Sequence, residues 1–120
     1  MWKKILPLAT ALMFATATAS AQDMRATARS GVETQLGVHQ GKTHEGLPEG
    51  VTFRIAKRPA NGSARIVMRK LPSPAGKPVR AAVIFYKSKK GFTGSDTFTY
   101  QRVSRSGAVD NLSWSINVVP

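Results

Sequence analysis

Toward its C-terminal end the chain reads Leu112-Ser113-Trp114-Ser115-Ile116-Asn117-Val118, with an apolar side chain at every second position. A period of two puts Leu112, Trp114, Ile116 and Val118 on one face of an extended strand. It cannot line one face of a helix, whose period is about 3.6. The alternation recurs in Phe98 and Tyr100 beside Thr97 and Thr99, and in Val51, Phe53 and Ile55 against Thr52, Arg54 and Ala56. Ala64, Ile66 and Met68 alternate with Arg65, Val67 and Arg69 in the same way. Residues 32–39 read as a first strand weakened by Gly37, and residues 79–86 as a central strand, apolar at nearly every position, with its inward parity open. Pro59-Ala60-Asn61-Gly62 reads as a tight hairpin turn, because Asn-Gly supplies positive φ angles. Residues 41–50, rich in glycine, form a loop, and residues 71–78, with three prolines, an exposed connection. About six strands at this spacing predict an all-β fold, a single small antiparallel sandwich.

The N-terminal segment has a different character. Met1-Trp2-Lys3-Lys4 is a short positive stretch, residues 5–16 are an apolar run, and Ala19-Ser20-Ala21 is a small-x-small cleavage pattern. These are the three parts of a secretory signal peptide over residues 1–21, and the run is too short to cross a bilayer of about 30 Å. Residues 22–31 are small and polar and read as a flexible arm ahead of a domain over residues 32–120. The expected location is periplasmic or secreted, with no transmembrane anchor in the mature chain. The 120 residues include no cysteine, so neither a disulfide nor a thiolate metal site holds the domain together.

Charge is the strongest signal in the composition. Lys and Arg number 18 against 6 Asp and Glu. No acid stands between Glu49 and Asp96, a stretch that holds Arg54, Lys57, Arg58, Arg65, Arg69, Lys70, Lys77, Arg80, Lys87, Lys89 and Lys90. A field of one sign favours anionic partners. With 59–62 as a hairpin turn, Arg54, Arg65 and Arg69 fall on one sheet surface. Lys57, Arg58 and Lys70 then lie near its ends, and Lys87, Lys89 and Lys90 on a loop. The leading expectation is a binding or structural module of the cell envelope, with anionic envelope polymers or another envelope protein as partners. The alternative is a polyanion binder (lipopolysaccharide, acidic glycan or nucleic acid) working through this basic 54–90 face.

Residues 86–100 carry the most specific pattern. Phe98 and Tyr100 share one parity and form an aromatic core face. Gly91 and Gly94 allow backbone angles closed to other residues, Phe92 between them plugs the end of the sandwich, and Asp96 accepts N–H groups of its own turn. The spacing Tyr86, Gly91, Phe92, Gly94, Asp96, Phe98, Tyr100 resembles that of the bacterial cadherin-like and Ig-like modules of exported adhesins and surface proteins. The Pro59-Ala60-Asn61-Gly62 turn and the closing strand with Trp114 extend the resemblance over residues 32–120. It implies an Ig-like sandwich that works through surface contacts. The chain has Ser88 where the family usually has proline, and nothing over 36–50 comparable to the family's acidic L-x-N-D-x-D-like segment. Calcium takes six to eight oxygen ligands, so none is expected here and no cofactor is assigned.

Candidate chemistry is sparse. His39 and His44, with Glu45 and Glu49 nearby, are the weak candidates for a loop metal carrier, short of the three or four converging ligands a zinc site requires. No serine stands in a nucleophile elbow, and Gly41-Lys42-Thr43 lacks the spacing of a phosphate-binding loop. The expectation is a non-enzyme.

Overall fold

The computed structural model describes residues 21–41, 45–74 and 76–120. The predicted signal peptide, up to Ser20, lies outside them, as does His44. Seven strands follow one another: β1 (Ala21–Arg29), β2 (Thr34–His39), β3 (Thr52–Lys57), β4 (Gly62–Leu71), β5 (Val79–Ser88), β6 (Gly94–Val103) and β7 (Val109–Val119). They form two sheets, one ordered β1-β7-β6-β3 and the other β2-β5-β4. The fold is all-β and sandwich-like.

Three expectations fail here, each for a physical reason. The segment 22–31 is not a loose arm, because β1 pairs along β7 from Ala21↔Asn111 to Arg29↔Val119. Its inward positions Met24, Ala26 and Ala28 pack against the core, and the small size of the two alanines hides the alternation. The pairing of β1 with β7 is also parallel, whereas the other four pairings are antiparallel. Residues 59–62 do not close a hairpin. β3 pairs with β6 and β4 with β5, so this turn carries the chain from one sheet to the other. Gly62 is required there by contact rather than by a positive φ, since a Cβ would overlap the Lys87 carbonyl oxygen.

The core lies where the alternating faces meet. Phe98 and Tyr100 are fully buried, and Trp114, Leu112, Ile116 and Val118 join them with Ile84 and Tyr86. Phe98 sits opposite Trp114 in the β6–β7 register, and its ring stacks with those of Tyr86 and Tyr100. Burying one large apolar side chain contributes roughly 1.5–3 kcal/mol. Strand β5 is buried on both faces from Ala81 to Tyr86, which is why its parity was illegible. Gly37 answers to packing: a Cβ there would stand 3.1 Å from Cζ2 of Trp114.

Candidate functional site

Three connections meet at one end of the sandwich: 30–33 after β1, 58–61 after β3 and 89–93 after β5. Hydrogen bonds stitch them together. Gly91 N–H donates to Ser30 Oγ at 2.9 Å, Gly31 N–H to Ser88 Oγ at 2.9 Å, and Lys89 N–H to the Asn61 carbonyl at 2.8 Å. Gly91 and Gly94 have φ of 89° and 122°, and Phe92 between them packs on the core as a plug.

Asp96 locks this end from within. It is 4% exposed, yet four donors reach it. Oδ1 accepts from Ala60 N–H at 3.0 Å and Thr97 N–H at 3.0 Å, and Oδ2 from Asn61 N–H at 3.1 Å and the Tyr86 hydroxyl at 2.7 Å. Only the Thr97 bond belongs to its own turn. The others tie β6 to the 59–62 crossover and to β5 in the opposite sheet. Burial, and then the bond to Asp96, push the Tyr86 hydroxyl well above its ordinary pKa.

The outside of the same end is basic. Arg29, Lys57, Arg58, Lys87, Lys89 and Lys90 are all exposed on its loops and adjoining strand ends. The acids here are Asp96, which is buried, and Glu33, which receives a bidentate bond from Arg65 at 2.8 and 2.9 Å. That bond holds the Glu33 carboxyl below the usual carboxylate range.

The predicted basic residues therefore divide. Lys57, Arg58, Lys87, Lys89 and Lys90 come together, and Arg29 joins them, missed because it stood in a presumed arm. Arg54 does not share a surface with Arg65 and Arg69. It lies on the other sheet, bonded to Gln101 at 2.7 Å, because 59–62 is a crossover. Arg65 and Arg69 lie over the Phe85 ring, 4.4 and 5.4 Å from its centroid, and Lys70 is exposed toward the far end of β4.

His39 is not a loop residue. It ends β2 half-buried, with its ring stacked on Phe53 and Nε2 2.7 Å from the Tyr100 hydroxyl. Among the described residues no group of three or more His, Cys, Asp and Glu side chains converges on a metal position.

No protein-family model matches the chain, and no curated protein matches it. Solved structures resemble it at low identity, among them the following two. One is the cysteine protease inhibitor EhICP2 from Entamoeba histolytica, with 15% identity and a TM-score of 0.45, covering 87% of this chain and 100% of that one. The other is PbICP-C in complex with falcipain-2, with 14% identity and a TM-score of 0.42, covering 90% and 96%. Likeness at this level carries no argument about activity, and the fold stands on the strand pairings above.

Proposed function

We propose that this chain is an exported, non-catalytic module of the Ig-like, cadherin-like type, which acts in the cell envelope by binding anionic polymers through its basic end. The observation that supports the reading most is the stitched end itself. Six exposed cations surround three hydrogen-bonded loops, while one nearby acid is buried and the other is engaged by Arg65. Hydrogen-bonded loops present charge at fixed spacing, which lowers the ordering cost of binding. Export rests on the pattern of residues 1–21, and the Ig-like assignment on the Tyr86-to-Tyr100 motif. The Asp96 lock gives that motif a structural task and leaves the cations free for a partner.

The test is retention on immobilised heparin over a salt gradient, with the Arg58→Ser/Lys89→Ser/Lys90→Ser variant beside the wild type. Counterion release makes affinity fall steeply with salt, with a log–log slope of about −0.9 per phosphate for duplex DNA. The wild type should be retained, and the triple variant should elute earlier with a shallower slope and an unchanged melting curve. Arg54→Ser, on the other sheet, should elute with the wild type. A wild type that passes straight through at low ionic strength would reduce the basic end to a solvated surface.

A further inference from the structure

The opposite end of the sandwich breaks the rule that inward positions are apolar. On β6 the inward series is Phe98, Tyr100, Arg102, and on β7 it is Trp114, Leu112, Asp110. On β1 it is Ala26, Met24, Gln22, and on β2 it is Gly37, His39. Toward this end all four strands turn polar, Gln22 beside Leu112 in register and Arg102 beside Asp110 one inward step further on. Gln22, His39, Arg102 and Asp110, with Asn111 and Leu112, line a pocket of about 210 Å³. That is smaller than the roughly 300–1,000 Å³ of drug-sized sites, so it suits a small ligand.

The side chains there are short of partners. Arg102 and Asp110 stand opposite each other in register, and among the described residues neither side chain makes a hydrogen bond or an ion pair. Arg102 is half-buried, a position where a guanidinium without an acceptor carries a desolvation cost. The indole N–H of Trp114 can only donate, so at 3.2 Å it donates to the Tyr100 oxygen. Tyr100 keeps its own proton for Nε2 of His39, 2.7 Å away. We assign the His39 proton to Nδ1, because the Nε2–H tautomer would leave the buried Tyr100 O–H without an acceptor, and Nδ1 has no partner among the described residues. A cation, an N–H donor and a carboxylate thus share one small mouth. Where local patterning fails on several strands at once, a functional site is the expected reason.

We propose that this pocket binds a small zwitterion of the α-amino-acid type. Its carboxylate meets Arg102 and His39, and its ammonium group meets Asp110. Guanidinium–carboxylate pairing is among the stronger charge-assisted contacts, and Asp110 selects against anions that lack a cationic group. The site is independent of the basic end, and either can fail without the other.

The experiment is an NMR titration of the folded protein with glycine, acetate and methylammonium as separate probes, read at the His39 ring and the Arg102 side chain. Glycine should give saturable shifts at millimolar concentration and raise the His39 pKa, because a carboxylate beside the ring favours imidazolium. Acetate should bind at least about tenfold more weakly, the equivalent of one charged contact. Methylammonium alone should leave His39 unmoved. Asp110→Asn, at an exposed position, should reduce glycine binding to the level of acetate, and Arg102→Gln should abolish both. Acetate binding as tightly as glycine overturns the proposal. So do glycine shifts that survive Arg102→Gln, or no saturable shift at all.

Discussion

Each end of the sandwich places a core-facing carboxylate on a neighbouring strand, and the two are treated in opposite ways. Asp96 on β6 is buried and receives four hydrogen bonds. Asp110 on β7 is exposed and, among the described residues, receives none at its side chain. Taking a carboxylate out of water costs several kcal/mol unless donors replace the water. At the stitched end the donors come from three separate segments, so meeting the cost of burial also joins the loops. At the other end no donor among the described residues reaches Asp110, and its charge stays at a mouth open to solvent. Residue type and inward parity are the same at both positions. Partner count separates a structural carboxylate from one free to meet a ligand.

The largest expected effect tests whether the two ends share one core. Trp114 lies between them, 7% exposed, packed in the cluster with Phe98 and bonded to Tyr100. Trp114→Ala should cost about 3–5 kcal/mol, the usual loss for a buried large aromatic. In urea unfolding followed by amide NMR, signals from both ends should move to the same lower midpoint. If only the His39 end loosened, the ends would be separate cooperative units and the comparison would need redrawing.

Removing each carboxylate breaks the comparison more directly. Asp96→Ala leaves the Tyr86 hydroxyl and the N–H groups of Ala60 and Asn61 without their acceptor, and should cost about 3 kcal/mol. Asp96→Asn is not the mild change that a simple turn cap would allow. Both Asn61 N–H and Tyr86 O–H point at Oδ2, and an amide NH₂ there would face two donors, so about 1–3 kcal/mol is expected. Asp110→Ala should fall within about 0.5 kcal/mol of the wild type, as exposed unpaired positions do. Thermal melts of the three variants are enough. Equal losses for Asp96→Ala and Asp110→Ala would erase the distinction between the ends.

The contrast also marks how far the sequence could be read. Strands with one wet face were legible, because Leu112 to Val118 and Phe98 with Tyr100 wear their burial as alternation. Strand β5, buried on both faces, lost that signal, and β1 lost it because alanine and threonine differ little in pattern. Asp96 was recognisable as a cap, but its partners lie 35 and 36 residues away at the crossover, beyond any local spacing. The hairpin reading of 59–62 failed for the same reason, and with it the single basic surface holding Arg54, Arg65 and Arg69. For the polar mouth a signal was present. Arg102 continues the inward parity of Phe98 and Tyr100, and Asp110 that of Trp114 and Leu112, which was visible once those strands were assigned.

A middling effect is expected at Gly37, where β2 passes over Trp114. A Cβ 3.1 Å from the indole forces a small shift, and overpacking of this kind typically costs about 1–3 kcal/mol. Because Gly37 lies two residues before His39, Gly37→Ala should also disturb the His39–Tyr100 contact. The His39 ring resonances should move while those of Tyr86 stay in place. Movement at Tyr86 of equal size would show that strain spreads to the stitched end.

The smallest expected effect is the pH dependence of the open end. Burial, and secondarily the charge of Arg102, lower the His39 pKa from its ordinary value. In the unfolded chain the imidazole takes up a proton near about pH 6.5, whereas in the folded protein it resists protonation to lower pH. Between those two values the unfolded state binds more protons, so stability falls as pH drops below about 6.5 and levels off below the folded value. Above about 6.5 this contribution is fully present. Protonation also takes away the Nε2 lone pair that accepts the Tyr100 hydroxyl in the assigned tautomer. His39→Gln keeps an acceptor within reach of Tyr100 and does not titrate. Melting temperatures of the two proteins should therefore converge or cross as pH is lowered from about 8 to about 5, with the wild type falling faster. Parallel pH profiles for the two proteins would mean that His39 is solvated like a free imidazole, and the mouth would lose its neutral donor.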